Sequence, residues 1–235
     1  PLTAARRRRL IETMTRTFAP EPPAALTRFW QRDESLTVLL VLLLLFAFVL
    51  PPLAPRDGPH GPLASLLFSL VLLAGVATVL RQNRVALWAV GGLCLAALVL
   101  RWVAWFDPDL DYQVWGALTG VIALFVLAIV VLAMVLRPGN VTRRRIEGAV
   151  AAYLLLGLAW AGAYEWIALR DPAAFTGAVE AGGDPWIYYS LVTLTTMGYG
   201  DITPVSPIAR SLATSEAFTG QLYLAILISR LVALE

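Results

Sequence analysis

The sequence predicts an all-α membrane protein with six transmembrane helices and, between the fifth and sixth, a short re-entrant helix running into an irregular strand. Three observations carry this. Of 235 residues, 59% are hydrophobic and 14% are charged, where a soluble domain carries about a quarter. The apolar residues fall into runs close to the roughly 20 that a bilayer core of about 30 Å requires. The third is TTMGYGD at 195–201, whose glycines, hydroxyls and acid are costly in lipid unless its backbone faces something else.

The elements follow in order. SLTVLLVLLLLFAFVL at 35–50 is closed by Pro51 and Pro52, and PLASLLFSLVLLAGVATVL at 62–80 is followed by the basic turn RQNR. VALWAVGGLCLAALVL at 85–100 runs on through Arg101 to Phe106. The fourth run, 114–136, is stopped by Arg137 and Pro138; the fifth and sixth are 146–169 and 206–234. The expected domains are a cytosolic N-terminal segment at 1–34, a peripheral four-helix domain at 35–140, and a second domain at 141–235.

Charge placement sets orientation. All 18 basic residues are arginine, and cytosolic segments retain the excess of arginine. With the N-terminus inside, 14 fall on inner segments, among them Arg6–Arg9, Arg81, Arg84, Arg137, Arg143–Arg145 and Arg230. Arg56, Arg101, Arg170 and Arg210 fall on outer ones. Both ends are therefore expected in the cytosol. The arginine- and alanine-rich composition suggests a bacterial plasma membrane. The first apolar run begins some 25 residues after the N-terminal arginines, too far for a secretory signal. A net charge of +2 gives no reason to expect a nucleic-acid partner.

One cysteine, Cys94 in an apolar run, and one histidine, His60 between Pro59 and Gly61, rule out a disulfide within one chain and leave little for metal or Cys/His chemistry. Glu165, Glu216 and Asp201 form no acid–base constellation, so no enzyme is expected. Under this topology the 36 residues between Leu169 and Ser206 leave and return on the outer face. PWIYYSLVTLTT at 185–196 is too short to span, and Pro185 sits where it starts a helix. A short helix dipping in and returning as TMGYG is a re-entrant loop, tolerated only where it is buried in protein or lines a water-filled path.

SLVTLTTMGYGDITP resembles the pore signature of the tetrameric potassium channel superfamily, whose filter reads T-V-G-Y-G followed by Asp. The resemblance covers roughly residues 146–235, with Met197 in place of valine. It implies a pore domain at 141–235 made of outer helix, pore helix, filter and inner helix, a homotetramer, and potassium ions bound at Thr196, Met197, Gly198, Tyr199 and Gly200. The chemistry agrees. Potassium sheds its water only if oxygen rings replace it, and Gly198 and Gly200 supply the dihedrals an inward-facing strand needs. Tyr199 is expected to project back onto Trp186, Tyr188 and Tyr189. Thr195 and Asp201 complete the support, with Asp201 at the outer mouth near the back of the pore helix. Met197 is read first as a packing change, since the filter uses its carbonyl. The alternatives are a weakly selective cation channel and a non-conducting, channel-like subunit.

On the last span, Glu216, Gly220 and Tyr223 share one helical face, and Gln221, Leu224 and Ile228 another, which in the family faces the cavity. Gly220 stands at the family's hinge position and reads equally as a hinge or as a close-packing point. An acid at mid-membrane costs about 2.5–3.5 kcal/mol on insertion scales, so Glu216 is expected behind the filter, hydrogen-bonded near Ser190 or Thr193. The voltage-gated relatives carry arginines every third residue along their fourth helix. Residues 114–136 carry no charge, so six-helix architecture without voltage sensing is expected, with Arg101 a snorkelling anchor. Arg143, Arg144 and Arg145 are expected to anchor the fifth helix inside, or to meet anionic lipid headgroups. No ligand-binding domain is expected after the inner helix.

Overall fold

A computed structural model describes residues 35–53, 61–79, 84–107, 110–137, 142–177 and 185–232. The expectations for 1–34, His60, Arg56 and Arg81 lie outside the described residues. Helix α1, Ser35–Leu44, passes through a π-helical turn, Leu45–Val49, into α2, Leu50–Leu53. The prolines therefore do not end this helix at residue 50 as expected. Pro51 and Pro52 have no N–H to donate backwards, and the turn before them widens so that Leu50 N–H bonds Leu45 O. The π turn absorbs the misfit, and the helix stops one turn later.

The remaining helices are α3 (Pro62–Val79), α4 (Arg84–Phe106), α5 (Leu110–Val135), α6 (Arg143–Arg170), α7 (Pro185–Leu194) and α8 (Pro207–Val232). Two short strands, β1 (Phe175–Thr176) and β2 (Thr203–Pro204), pair antiparallel with Thr176 opposite Thr203. The expected all-α class holds. Four helical segments among the described residues, Ser35–Pro52, Pro62–Val79, Asp111–Val135 and Arg143–Arg170, are long and apolar enough to cross a membrane. Val90–Phe106 is apolar but shorter, and α8, at 26 residues, carries Arg210, Glu216, Gln221 and Arg230. The expected count of six crossings thus does not follow from length and apolarity alone.

Residues Ser35–Glu235 form one compact unit. Helices α1 and α5 pack on α6 of their own chain, with small residues at the crossings, as suits helices that meet without a hydrophobic driving force. A Cβ on Gly162 would lie 2.9 Å from Val121, and one on Gly148 2.9 Å from Val135. Phe125 meets Trp160 edge-on at 5.3 Å, and Thr37 donates to Glu147 Oε2 at 2.7 Å. Residues 136–142 between α5 and α6 reach at most about 25 Å, which keeps the two helices adjacent and antiparallel. Cys94 is buried and free.

Arg101 differs from expectation. Its guanidinium stands 4.7 Å over the Phe68 ring, and with Glu165 of α6 it lines a small cavity of about 40 Å³. Glu165 lies within its electrostatic reach. A charge with an aromatic face and a carboxylate to meet inside the helix bundle is drawn inward rather than out to the headgroups.

Leu127 is fully buried and would stand 2.7 Å from a Cβ on Gly75, so α3 and α5 interlock there. Leu127→Ala is expected to lower stability by about 2–5 kcal/mol, read as a fall in melting temperature of the detergent-solubilised protein.

Candidate functional site

The site is built on α7, the strand 195–201 and α8. Helix α7 buries Ile187, Tyr189, Ser190, Val192 and Leu194. It ends in a Schellman motif: Met197 N–H bonds Val192 O and Thr196 N–H bonds Thr193 O, both at 2.9 Å. That motif needs a left-handed residue at its turn, usually glycine, and here Thr196 takes it with φ +58°. A side chain in this region costs about 1–2 kcal/mol. Gln221 Nε2, donating to Thr196 Oγ1 at 3.1 Å, holds the residue from α8.

Gly198 and Gly200 follow with φ +59° and +79°. Since Thr196 is the one described non-glycine residue with positive φ, the sign alternates at every residue from 196 to 200. A strand whose φ alternates in this way turns successive peptide groups toward one side. Two of the three left-handed positions fall on glycine, which adopts them without steric cost.

Behind the strand the packing is close. A Cβ on Gly220 would lie 2.1 Å from Leu194 O, so the backbone of α8 touches the last turn of α7. Tyr153 OH donates to the same carbonyl at 3.3 Å. Gly220 thus stands at a point of close packing. Glu216 is fully buried and accepts a hydrogen bond from Tyr164 OH of α6. Ser190 Oγ of α7 lies 2.5 Å from its Oε1. Tyr223 OH donates to Ala149 O at 2.5 Å, so the Glu216, Gly220 and Tyr223 face is buried while Gln221, Leu224 and Ile228 are exposed.

At the far end of the strand Tyr188 OH donates to Asp201 Oδ2 at 2.7 Å, and Ile202 N–H donates to Oδ1 at 3.1 Å. The bond to Asp201 holds the Tyr188 phenol above its ordinary range. Gly177, φ +83°, sits so close that a Cβ would be 1.9 Å from Asp201 O, locking the segment before α7 to the segment after the strand. Thr176 and Thr203 hydroxyls meet at 2.6 Å across β1 and β2. Helix α8 then starts at Pro207, with Ser206 Oγ accepting from Ala209 N–H at 3.2 Å, an N-cap.

Trp186 and Tyr189 pack on other rings of the chain. The Trp186 ring meets Phe175 at 4.9 Å, and Tyr189 meets Tyr164 at 4.8 Å and Phe175 at 5.6 Å. Tyr199 is 67% exposed and Met197 62% exposed, so within one chain Tyr199 is not buried among these rings. Thr195 turns back on its helix, donating to Leu191 O at 2.6 Å. Sequence reasoning missed Tyr164, Tyr153 and Gly177. A tyrosine amid the apolar fifth run was the available signal for Tyr164, since a buried acid needs donors. No group of three or more His, Cys, Asp or Glu able to hold a metal occurs among the described residues.

Residues 152–234 match the family described as Ion channel. Over 79 residues, 34% of the chain, it is 34% identical to the inward rectifier potassium channel Kirbac3.1 of Paramagnetospirillum magnetotacticum. Over 91 residues, 39% of the chain, it is 33% identical to two-pore potassium channel 1 of Arabidopsis thaliana. The chain covers 24% and 23% of these relatives' lengths, about a quarter of each. No solved structure matches.

Gly220→Ala separates packing from hinging. With a carbonyl 2.1 Å from the new methyl, the substitution is expected to cost about 1–3 kcal/mol or more, seen as a lower melting temperature. A position serving only as a hinge would leave the melting temperature of the alanine variant unchanged. Residues 152–234 are thus similar to ion channels rather than to an enzyme.

Proposed function

We propose that the chain is a homotetrameric, potassium-selective channel that conducts passively through rings of backbone oxygen from Thr196, Met197, Gly198, Tyr199 and Gly200, with potassium as cargo. The observation that carries the reading is the alternating φ of residues 196–200 in an exposed strand anchored from behind. Selection of potassium requires oxygens that replace its hydration shell, and one strand supplies one side of such a ring. The exposure of Met197 and Tyr199 fits a strand completed by other copies, with Tyr199 meeting a neighbouring subunit's rings rather than its own. Gln221, Leu224 and Ile228 then line the cavity below, while Trp186, Tyr188, Tyr189, Thr195, Asp201 and Glu216 brace the filter.

Both relatives are named as potassium channels, which supports the choice of ion. Six crossings with both ends in the cytosol remain the topology that the arginine distribution favours. Arg143 pairs with Glu147 at 2.8 Å and is 88% exposed, so the start of α6 presents positive charge suited to anionic lipid, at about 1 kcal/mol per arginine.

Potassium efflux from liposomes reconstituted with the full chain tests the reading. Flux well above sodium flux and abolished by Gly198→Asp is expected. Equal sodium flux would replace it with the weakly selective pore, and silence under all conditions with the non-conducting subunit. A second test concerns voltage. A charge crossing 100 mV is worth about 2.3 kcal/mol and α5 carries no arginine, so open probability in planar bilayers is expected to stay flat between positive and negative potentials. Steep voltage dependence would show that charge elsewhere in the chain moves.

A further inference from the structure

The contacts around Glu216 involve three oxygen pairs at hydrogen-bond distance: Tyr164 OH with Oε2, Ser190 Oγ with Oε1 at 2.5 Å, and Ser190 Oγ with Gly157 O at 2.6 Å. Each pair holds together only if a hydrogen lies between its oxygens. Tyr164 and Ser190 carry one hydroxyl hydrogen each, and the Gly157 carbonyl carries none. Three contacts therefore have two hydroxyl hydrogens between them.

A shared hydrogen does not resolve the count. Both Ser190 contacts sit at the short end of the range for single O–H···O bonds, 2.5 to 3.0 Å, whereas division of one hydrogen between two acceptors lengthens both. If Ser190 donated to Glu216, its lone pairs would face those of Gly157 O at 2.6 Å, a repulsive contact. Ser190 therefore donates to Gly157, and the hydrogen between Ser190 and Glu216 belongs to Glu216.

We propose that Glu216 is a resident proton site, a neutral carboxylic acid whose Oε1–H donates to Ser190 Oγ while Oε2 accepts from Tyr164. A fully buried carboxylate without a paired cation is strongly disfavoured, which acts in the same direction. The titratable groups facing it are phenols, Tyr153 and Tyr164 from α6 and Tyr189 from α7. The bound proton lets one side chain of α8 tie α6 and α7 together behind the strand. Its loss at alkaline pH leaves Ser190 one hydrogen for two acceptors, so α7 is released from either α6 or α8. The filter consequence rests on the channel reading; the protonation does not.

Glu216→Gln provides the test, because the amide N–H₂ donates to Ser190 and the amide oxygen accepts from Tyr164, reproducing the neutral acid's pattern. Infrared difference spectra of wild type against this variant, both as the full chain in lipid nanodiscs at neutral pH, are expected to show a protonated-carboxyl C=O stretch in wild type alone. The variant is expected to keep the wild-type melting temperature at neutral pH and to lack the fall that wild type shows at alkaline pH. A difference spectrum with carboxylate bands and no protonated-carboxyl band would overturn the proposal, as would a variant that fails to assemble. Absence of potassium flux in both proteins would count against the channel reading alone.

Discussion

Irregular backbone in a membrane protein must have its polar groups met by protein or by a water-filled path. The structure around residues 194–201 is organised by that constraint. The last turn of α7 closes its own carbonyls through the Schellman bonds of Thr196 and Met197. Leu194 O is met by Tyr153 and by the backbone of α8 at Gly220. Beyond Gly200, Asp201 is tied to Tyr188 and to Ile202 N–H. The strand between is bonded at its two ends and open on one side.

The supports come from three separated parts of the chain, which explains why the surrounding fold is so closely packed. Helix α6 contributes Tyr153, Gly157 and Tyr164; α7 contributes Ser190; α8 contributes Glu216, Gly220 and Gln221. Gly157 lets the two helices approach, since a Cβ there would stand 3.1 Å from Leu191. Helices α1 and α5 reach the site through their packing on α6. Arg101 and Glu165 line one cavity with Trp186 and Ile187 of α7, so charged groups of the leading helices and of α6 lie against the helix that carries the strand.

Much of the site was legible in the sequence because its signals are local. TTMGYGD places glycines at two of the three left-handed positions, and the third follows from where α7 ends. The two faces of α8 follow from helical spacing alone, and the buried one is the face bearing Glu216, Gly220 and Tyr223. Other readings failed where local rules met a longer-range condition. Two prolines signal a helix end, but the π turn before them carries the helix on. An arginine near a helix end signals an anchor, but Phe68 and Glu165 draw it inward.

The sequence by itself determined the apolar helices, the short helix that starts at Pro185, the glycine positions of the strand, and the absence of arginine from α5. Each is a matter of composition or of neighbours within a few residues, where dihedral preference and polarity act directly. Only the tertiary structure decided that Glu216 meets Tyr164 and Ser190, 52 and 26 residues away, and that Gly220 is a contact. Such pairings depend on how helices cross, and crossing geometry arises from the fit of whole surfaces. A single position has no pattern that encodes it.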